Sequence, residues 1–334
     1  GYFKGQDRGV QLKGSNGDIL YKSKDKTSSK YGKRPEERSL NELLQKGIVN
    51  IDKPRGPTSH EVTSWVKKIL GISKAGHSGT LDPNVSGVLP VTLGKATKLV
   101  KLLMTSHKEY VCTLHLQKDI PKYDLMRVLK EYEGTLYQKP PVKSAVKRRV
   151  RTRKVHYITP MEIEEKDVLM KVGCDAGTYI RKLCYDIGLS LGCGASMKEL
   201  RRTKTGVFGE ESTIMLQDLL DAKIFSVEEN NEDILKKYIA PYEVVLGPLK
   251  KIWIKDTAVE AICQGSMLTA PGVSKLHKGI LKGDTVAVMT LKNEAVSVSE
   301  AKMNSEEIFK KETDIVAKPL SVLMETGVYP RMWN

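Results

Sequence analysis

The 334-residue sequence is short of aromatic side chains, paired cysteines and long apolar runs. Aromatic residues make up 6% of the chain, which argues against an RNA-binding sheet that stacks bases on several rings. The five cysteines form no C-x-x-C pair, so neither a zinc ribbon nor a disulfide framework is expected. Lys or Arg interrupts every apolar run before it reaches the length of a membrane span. The unpaired cysteines and the lack of a membrane-length apolar run lead us to expect a cytosolic protein. The sequence also lacks a P-loop, a dinucleotide-binding glycine pattern and H-E-x-x-H, so we expect no cofactor and no metal.

Acidic residues are the scarcer of the charged types, and their shortage indicates a polyanionic partner. Lys and Arg total 55 against 40 Asp and Glu, which gives a net charge of +15 and an isoelectric point near 9.4. Nucleic acid is the polyanion that we expect, because each neutralised phosphate releases counterions. The alternative is a chain that is basic for another reason, as thermophilic and ribosome-associated proteins often are.

Two clusters carry much of the positive charge. Residues 139–154 include eight Lys or Arg and no acid among sixteen residues, and residues 199–206 include three more. Such clusters contact phosphates more often than they catalyse, although a solvated charged face would have the same composition. The side chains predicted to contact RNA are Lys143, Lys147, Arg148, Arg149, Arg151, Arg153, Arg201 and Arg202.

The composition divides the chain into three segments. Residues 1–35 are polar and are expected to form a flexible arm that packs on the C-terminal domain or remains free. Residues 36–247 interleave strand-like and helical patterns irregularly, which predicts a mixed α/β (α+β) layer fold without repeated βαβ units. Residues 248–334 contain short β-like pieces with frequent turns, which predict a small β-rich domain.

Several elements of the middle segment follow from local patterns. Residues 110–116 and 168–174 have strand composition. Thr58 and Glu61 have capping-box spacing, so a helix is predicted to begin here. Its expected buried face consists of Val62, Trp65, Val66, Ile69 and Leu70. A second helix is expected to begin at a Thr178 cap. Its apolar stripe consists of Ile180, Leu183, Cys184, Ile187 and Leu191.

The stretch GHSGTLDPNVSGVLPV, residues 76–91, has many turn residues and a single carboxylate, Asp82. Pro83 restricts Asp82 to extended dihedral angles, and Gly79 and Gly87 permit tight turns on either side. A carboxylate held by so stiff a backbone suits a nucleophile or a general base. The alternative, which the local sequence alone favours, is a turn in which the Asp side chain caps the backbone.

A possible partner for Asp82 is Arg181, in the stretch GTYIRKL. It falls in the first turn of the second predicted helix, where the helix dipole disfavours a cation. A carboxylate partner would offset this effect, and pairing with Arg181 would keep Asp82 ionised when substrate excludes water. The alternative is an ordinary surface arginine. His77 lies five residues before Asp82, so a His/Asp dyad stays open, although no Ser or Cys nucleophile elbow accompanies it.

The stretch around Asp82 resembles the catalytic motif of the TruB family of pseudouridine synthases. NIDKPRGPTSHEV, KEYV, GTYIRKLCYDIG and ELRRTKTG resemble the other blocks of that family, in the same order, from about residue 46 to about residue 220. IKDTAVEAICQGSMLTAPGV through VYPRMW resembles the PUA domain of the archaeal, dyskerin-like branch, whose members are catalytic subunits of H/ACA ribonucleoproteins. The resemblance implies a catalytic domain with a central mixed or antiparallel sheet flanked by helices, and a small β-barrel-like PUA domain.

The resemblance also implies the reaction and its catalytic residues. Family members convert uridine to pseudouridine without a cofactor: the N1–C1′ bond breaks, the uracil rotates, and C5 bonds to C1′. Asp82 matches the family's nucleophile, and the resemblance leaves open whether it attacks the base, attacks the sugar or assists an elimination. Tyr110 matches the residue that packs on the uracil and is a candidate for removing the C5 proton. Arg181 matches the partner of the Asp.

Four further residues match substrate-binding positions of the family. His77 matches the side chain beside the gap that the extruded nucleotide leaves, and extrusion is needed because a stacked base is out of reach. Tyr179 and Leu200 match residues that line the pocket. Lys53, together with Pro54, is expected to shape the pocket floor, a structural role.

The resemblance finally implies partners. Residues 117–134 replace a longer insertion with which stand-alone bacterial members grip transfer RNA, which suits a target presented by a guide RNA. We therefore expect a guide RNA, a ribosomal or transfer RNA target, small accessory proteins of the Nop, Gar and ribosomal L7 types, and no membrane. The location would be cytoplasmic in an archaeon and nucleolar in a eukaryote. The alternatives are guide-independent modification of transfer RNA and an RNA-binding scaffold for ribosome assembly.

Overall fold

The computed structural model describes residues 17–140 and 149–331, which form two β-sheets with helices packed against them. The strands of the first sheet are β2 (Gly47–Lys53), β3 (Ala75–His77), β4 (Ser86–Leu93), β5 (Lys108–Leu116), β6 (Gly134–Gln138), β7 (Arg151–Glu164), β8 (Asp167–Cys174), β9 (Ala195–Thr205), β10 (Phe208–Gly209) and β11 (Ala240–Pro241). The strands of the second sheet are β1 (Ile19–Tyr21), β12 (Lys251–Ile254), β13 (Leu268–Thr269), β14 (Val273–His277), β15 (Thr285–Thr290), β16 (Ala295–Ala301) and β17 (Ile315–Val322). The α-helices are α1 (Leu40–Lys46), α2 (Ser59–Leu70), α3 (Val100–Thr105), α4 (Lys122–Glu131), α5 (Ile180–Leu191), α6 (Leu216–Glu228), α7 (Asp233–Tyr238), α8 (Asp256–Cys263) and α9 (Ser305–Lys310).

The first sheet is mixed, with the order β11-β2-β4-β9-β5-β8-β7-β6 and with β3 and β10 added at its side. Its neighbours along this path are antiparallel except β4 and β9, which run parallel at Ser86–Arg201 and Gly87–Arg202. The second sheet has the order β1-β14-β12-β15-β16-β17-β13, with β12 and β15 parallel. This mixed α+β architecture confirms the fold class predicted from the sequence.

The local predictions are confirmed with two exceptions. Helix α2 begins at the Thr58–Glu61 capping box, and strands β5 and β8 cover the two predicted strand segments. The stripe of α5 faces the core as predicted, but the predicted Thr178 cap is wrong, because Tyr179 is the residue that precedes the helix. The second exception is Trp65, which is 40% exposed at the edge of the buried stripe of α2. None of the helices formed by residues 17–140 and 149–331 is both long and apolar enough to cross a membrane.

The two sheets share an apolar interface. A cluster of buried residues joins Phe208 and Tyr242, of residues 36–247, to Trp253, Met289 and Leu323, of residues 248–334. Beside this cluster, strand β1 adds to the edge of the second sheet by antiparallel pairing with β14. The candidate active site is built from strands of the first sheet, the loop between β3 and β4, and the start of α5.

Candidate active site

The Asp82 loop connects β3 to β4 and is fastened to the protein on both sides of Asp82. The buried hydroxyl of Ser59, at the start of α2, accepts a hydrogen bond from the Leu81 N–H at 2.8 Å and donates to the Leu81 carbonyl at 3.1 Å. The Val85 N–H donates to the Asp82 carbonyl at 2.9 Å and closes a turn. Asp82 itself is exposed, so the loop presents its carboxylate to solvent from a constrained backbone.

Lys53 also holds this loop in place, through hydrogen bonds to its backbone. Its ammonium group donates hydrogen bonds to the carbonyls of Pro54, Pro83 and Val85, at 2.9, 3.3 and 2.8 Å. Burial lowers the pKa of Lys53, and the nearby Asp82 carboxylate acts in the opposite direction. Lys53 is fully buried, so it supports the loop from below and offers no surface to a substrate.

Tyr110, on β5, lies beside Asp82 and against a buried arginine. Burial raises the pKa of the Tyr110 hydroxyl, while the charge of the adjacent Arg202 and a hydrogen bond with it act to lower this pKa. The Arg202 Nε donates to the Val88 carbonyl at 2.9 Å, and the residue is only 2% exposed. Arg202 therefore positions the phenol from inside the protein. The family resemblance assigned Arg202 no role at the active site. The contact between Arg202 and Tyr110 depends on the pairing of β5 with β9, which places the two residues opposite each other.

Gly87 allows the close approach of β4 and β9 on which this arrangement depends. A Cβ atom at Gly87 would lie 2.0 Å from the Arg202 carbonyl oxygen, and the residue has a φ of 115°. Both observations require glycine, since other residues rarely adopt this φ and would collide with the neighbouring strand.

Tyr179 and Arg181 stand at the start of α5. Gln138, which is 2% exposed, donates to the Tyr179 carbonyl at 3.1 Å and accepts from the Tyr179 N–H at 2.9 Å. Arg181 is exposed, and in the described part of the chain no ion pair within 4 Å joins it to Asp82. The pairing predicted from the sequence is thus not formed here, because both groups are hydrated and an exposed ion pair gains little. Gln138 is a site residue that sequence reasoning missed, since no local pattern connects residues 138 and 179.

His77 ends β3, from which the Asp82 loop departs, and Leu200 lies on β9. His77 is half-buried, and burial lowers its pKa, as do the charges of His60 and Arg202. Leu200 lines a cavity of about 270 Å³ together with Arg55, Asn84 and Ser86. Neither Asp82 nor Tyr110 is among the residues that line this cavity, so the cavity does not mark a base pocket at the carboxylate.

The predicted RNA contacts divide into three groups. Lys143, Lys147 and Arg148 lie outside the described residues. Arg149 is exposed, and Arg151 and Arg153 are partly exposed on β7.

Arg201 and Arg202 require a correction. The Arg201 Nη1 is 3.0 Å from Asp52 and its Nε is 2.5 Å from Glu210, so two carboxylates already neutralise it. Arg202 is buried beneath Tyr110. Their surroundings argue against phosphate contacts, and the burial of Arg202 follows from the central position of β9, which the sequence alone did not reveal.

Comparisons with known proteins identify the family. The model of the TruB family pseudouridylate synthase N-terminal domain matches residues 67–180, and that of the tRNA pseudouridylate synthase B C-terminal domain matches residues 181–247. A PUA domain model matches residues 250–323, and a DKCLD (NUC011) domain model matches residues 10–63. A protein of Methanopyrus kandleri named probable tRNA pseudouridine synthase B is 52% identical over 317 residues, which are 95% of this chain and 94% of that protein. The chain belongs to the TruB family of pseudouridine synthases.

Solved structures resemble the chain over nearly its whole length. A chain in the crystal structure of a Cbf5–Nop10–Gar1 complex superimposes with a TM-score of 0.91 at 49% identity, covering 97% of this chain and 99% of that one. A chain of an H/ACA ribonucleoprotein bound to a substrate RNA containing 2′-deoxyuridine superimposes with a TM-score of 0.89 at 48% identity, covering 95% and 97%. The similarity therefore includes the catalytic half and the PUA half together.

Proposed function

We propose that this protein isomerises uridine to pseudouridine in an RNA that a guide RNA positions, as the catalytic subunit of an H/ACA-type ribonucleoprotein. The observation that carries this proposal is the similarity of almost the entire chain to chains of such complexes. We infer guide RNA, target RNA and small Nop10- and Gar1-like proteins as partners. An L7-type partner and a cytoplasmic location stay predictions from the sequence.

The geometry supports Asp82 as the nucleophile. Its carboxylate is exposed on a loop that Ser59 and Lys53 hold in place, so little reorganisation is needed when a uridine arrives. Tyr110 lies beside it as a phenol whose raised pKa keeps it neutral, so its ring can pack on an uncharged uracil. In the reaction Asp82 bonds to the nucleoside as the N1–C1′ bond breaks, the freed uracil turns, and a C5–C1′ bond forms as the bond to Asp82 is released. The C5 proton then leaves, with Tyr110 as the nearby group, and N1 takes up a proton, so that the product is an isomer of the substrate.

Arg181 enters this mechanism when RNA covers the site. Two hydrated charges attract weakly, and their attraction grows when a bound nucleotide excludes water. We therefore assign Arg181 to pair with Asp82 in the RNA complex, where it would keep the carboxylate ionised. His77, Tyr179 and Leu200 are assigned to the surroundings of the extruded nucleotide.

The decisive experiment measures tritium release from C5-labelled uridine in target RNA, with the assembled particle and a matching guide. We expect release to require the guide and to fall at least about a thousandfold in Asp82→Asn, because the amide is no nucleophile. Asp119→Asn is the matched control, since Asp119 is exposed on a loop outside the site. Full activity of Asp82→Asn would exclude Asp82 as the nucleophile, and loss of release with RNA binding retained would argue against a mere scaffold for ribosome assembly.

A second candidate function is guide-independent modification of transfer RNA. Curated relatives that are 50–52% identical to this chain are named probable tRNA pseudouridine synthase B, which favours this alternative. The same assay on unmodified transfer RNA, without guide, separates the two. A rate equal to that of the guided reaction would replace the first proposal by the second.

A further inference from the structure

Three side chains of metal-binding type converge at one end of the first sheet, outside the candidate active site. His107 precedes β5, His156 lies in β7, and Asp175 follows β8, and the pairing of these three strands brings them together. The Nε2 atom of His156 is 3.0 Å from Oδ1 of Asp175, and Nε2 of His107 is 3.6 Å from the same oxygen. The three ligand atoms all lie within 4.8 Å of one another.

We propose that His107, His156 and Asp175 form a binding site for a divalent transition-metal ion, with Zn²⁺ as the best fit. Two imidazole nitrogens and one carboxylate oxygen are a ligand set that Zn²⁺ accepts at about 2.0–2.2 Å from each atom. Two such donors around a tetrahedral ion are then about 3.4 Å apart. The separations of 3.0 and 3.6 Å from the carboxylate oxygen lie on either side of this value. The two imidazole rings stack with their centroids 4.6 Å apart, so they must turn for both nitrogens to face one ion.

The surroundings of the three residues orient them for this role. The Lys154 N–H donates to Oδ2 of Asp175 at 3.0 Å, which holds the carboxylate and leaves Oδ1 directed at the two imidazoles. The side chain of His107 is 72% exposed, so an ion can enter and keep a water molecule as its fourth ligand.

A metal ion here would act on structure, not on chemistry. It would join β5, β7 and β8 at one end of the first sheet. The Asp175 carbonyl also accepts hydrogen bonds from the Thr178 N–H at 3.3 Å and the Thr178 hydroxyl at 2.8 Å. The bound ion would therefore stiffen the turn that leads into Tyr179 and Arg181. The site stands on its own geometry and does not depend on the proposed function.

The test is a Zn²⁺ titration of the chelator-treated full-length protein against a chromophoric competitor. We expect one ion per chain, and at least about a tenfold lower affinity in His107→Asn and in His156→Asn, since even outer-shell changes cost about 10–100-fold. His115→Asn is the matched control, because His115 pairs with Asp167 at the other end of β5, with 2.6 Å between Nδ1 and Oδ1. Circular dichroism verifies that each variant is folded.

Two results would overturn the proposal. One is equal Zn²⁺ affinity in the native chain and the His107 and His156 variants, or no binding at all, which would leave an ion pair between Asp175 and the imidazoles. The other is a thiolate charge-transfer band in the Co²⁺ form, which would assign binding to a cysteine such as the partly exposed Cys193 or Cys263. A Co²⁺ spectrum without that band, lost in His107→Asn and kept in His115→Asn, would support it.

Discussion

Lys53 is a charged residue that the interior uses as a hydrogen-bond donor. Its ammonium group donates to three carbonyl oxygens, that of the adjacent Pro54 and those of Pro83 and Val85, which follow Asp82, and none of its surface is exposed. Burying an ammonium group costs free energy unless hydrogen bonds compensate. The compensation here comes from the loop that carries the proposed nucleophile, so the position of Asp82 and the burial of Lys53 depend on each other.

Replacing this donor is expected to loosen the loop. Lys53→Met keeps the length of the side chain but leaves the Pro83 and Val85 carbonyls without it, so we expect a loss of about 1–3 kcal/mol in the free energy of unfolding. The single-turnover rate should fall more than the affinity for RNA, because the loop is misplaced but phosphate contacts remain. Urea unfolding and tritium release check this. The control is Lys118→Met at an exposed position, and unchanged stability and rate in Lys53→Met would refute the role of the ammonium group.

At the scale of the element, strand β6 determines how α5 begins. Gln138, the last residue of β6, makes two hydrogen bonds with the backbone of Tyr179, the residue before α5. These bonds hold the residue that precedes α5, a helix that begins without a side-chain cap. The orientation of Tyr179 and Arg181 is therefore set by a strand that lies about 40 residues earlier in the chain.

Removing these two bonds should affect the rate more than the fold. Gln138→Ala leaves the Tyr179 N–H without its partner, while the Tyr179 carbonyl keeps the Leu183 N–H at 3.1 Å, and we expect an unfolding free energy lower by about 1–2 kcal/mol. The rate of isomerisation is expected to fall at least about tenfold, because small misplacements of catalytic groups are costly. Single-turnover kinetics with saturating RNA measures this. Gln217→Ala, exposed on α6, is the control, and equal rates in the two variants would contradict the positioning role.

Strand β7 provides the described part of the proposed RNA-binding surface. Arg151 and Arg153 are partly exposed there, and no carboxylate of the described residues lies within 4 Å of either. In Arg151→Ala/Arg153→Ala we expect weaker RNA binding and a slope of log K against log salt that is smaller by about 0.7–0.9 for each lost phosphate contact. Arg127→Ala is the control, because Asp124 and Glu131 already pair with Arg127 at 3.7 and 3.4 Å. An unchanged slope in the double variant would mean that this strand faces solvent or a protein.

At the scale of the whole molecule, charged groups connect the catalytic half to the PUA half. The buried guanidinium of Arg38 faces the buried carboxylate of Glu243, with 2.6 Å between Nη2 and Oε2, and Glu243 also accepts from the Ala295 N–H of β16. Nearer the surface, Glu325 lies 3.0 Å from Lys46 and 3.2 Å from Lys95. Together with the shared apolar cluster, these contacts make the two halves one unit.

The Glu325 bridge predicts acid sensitivity of this interface. Burial raises the pKa of Glu325, but its backbone hydrogen bond, Lys46 and Lys95 lower it to about 2. The carboxylate thus stabilises the folded state above the unfolded pKa of about 4.5, and this contribution disappears as the pH falls from there towards 2. Since the Glu325 side chain is 40% exposed, solvent screens the bridge, and we expect about 1 kcal/mol at neutral pH.

Denaturation of Glu325→Gln and the native chain at pH 7 and pH 3 checks this expectation. The difference in unfolding free energy should be present at pH 7 and smaller at pH 3, because the carboxyl group of the unfolded chain is then mostly protonated and that of the folded chain is still mostly ionised. Glu312→Gln, exposed and near the end of the chain, is the control. A difference that is the same at both values of pH would show that packing and not charge is responsible.

The sequence by itself determined what depends on neighbours along the chain. The Thr58–Glu61 box, the buried stripe of α5, the strands β5 and β8 and the stiff presentation of Asp82 all involve residues within a few positions of each other. The motif blocks, which are local too, determined the family. The tertiary structure alone decided which distant partner each polar group meets: Lys53 under the Asp82 loop, Gln138 at Tyr179, Arg202 at Tyr110, and the three metal-type ligands at one sheet end. The physical reason is that such partners are set by the order and register of strands far apart in the chain, which no local pattern records.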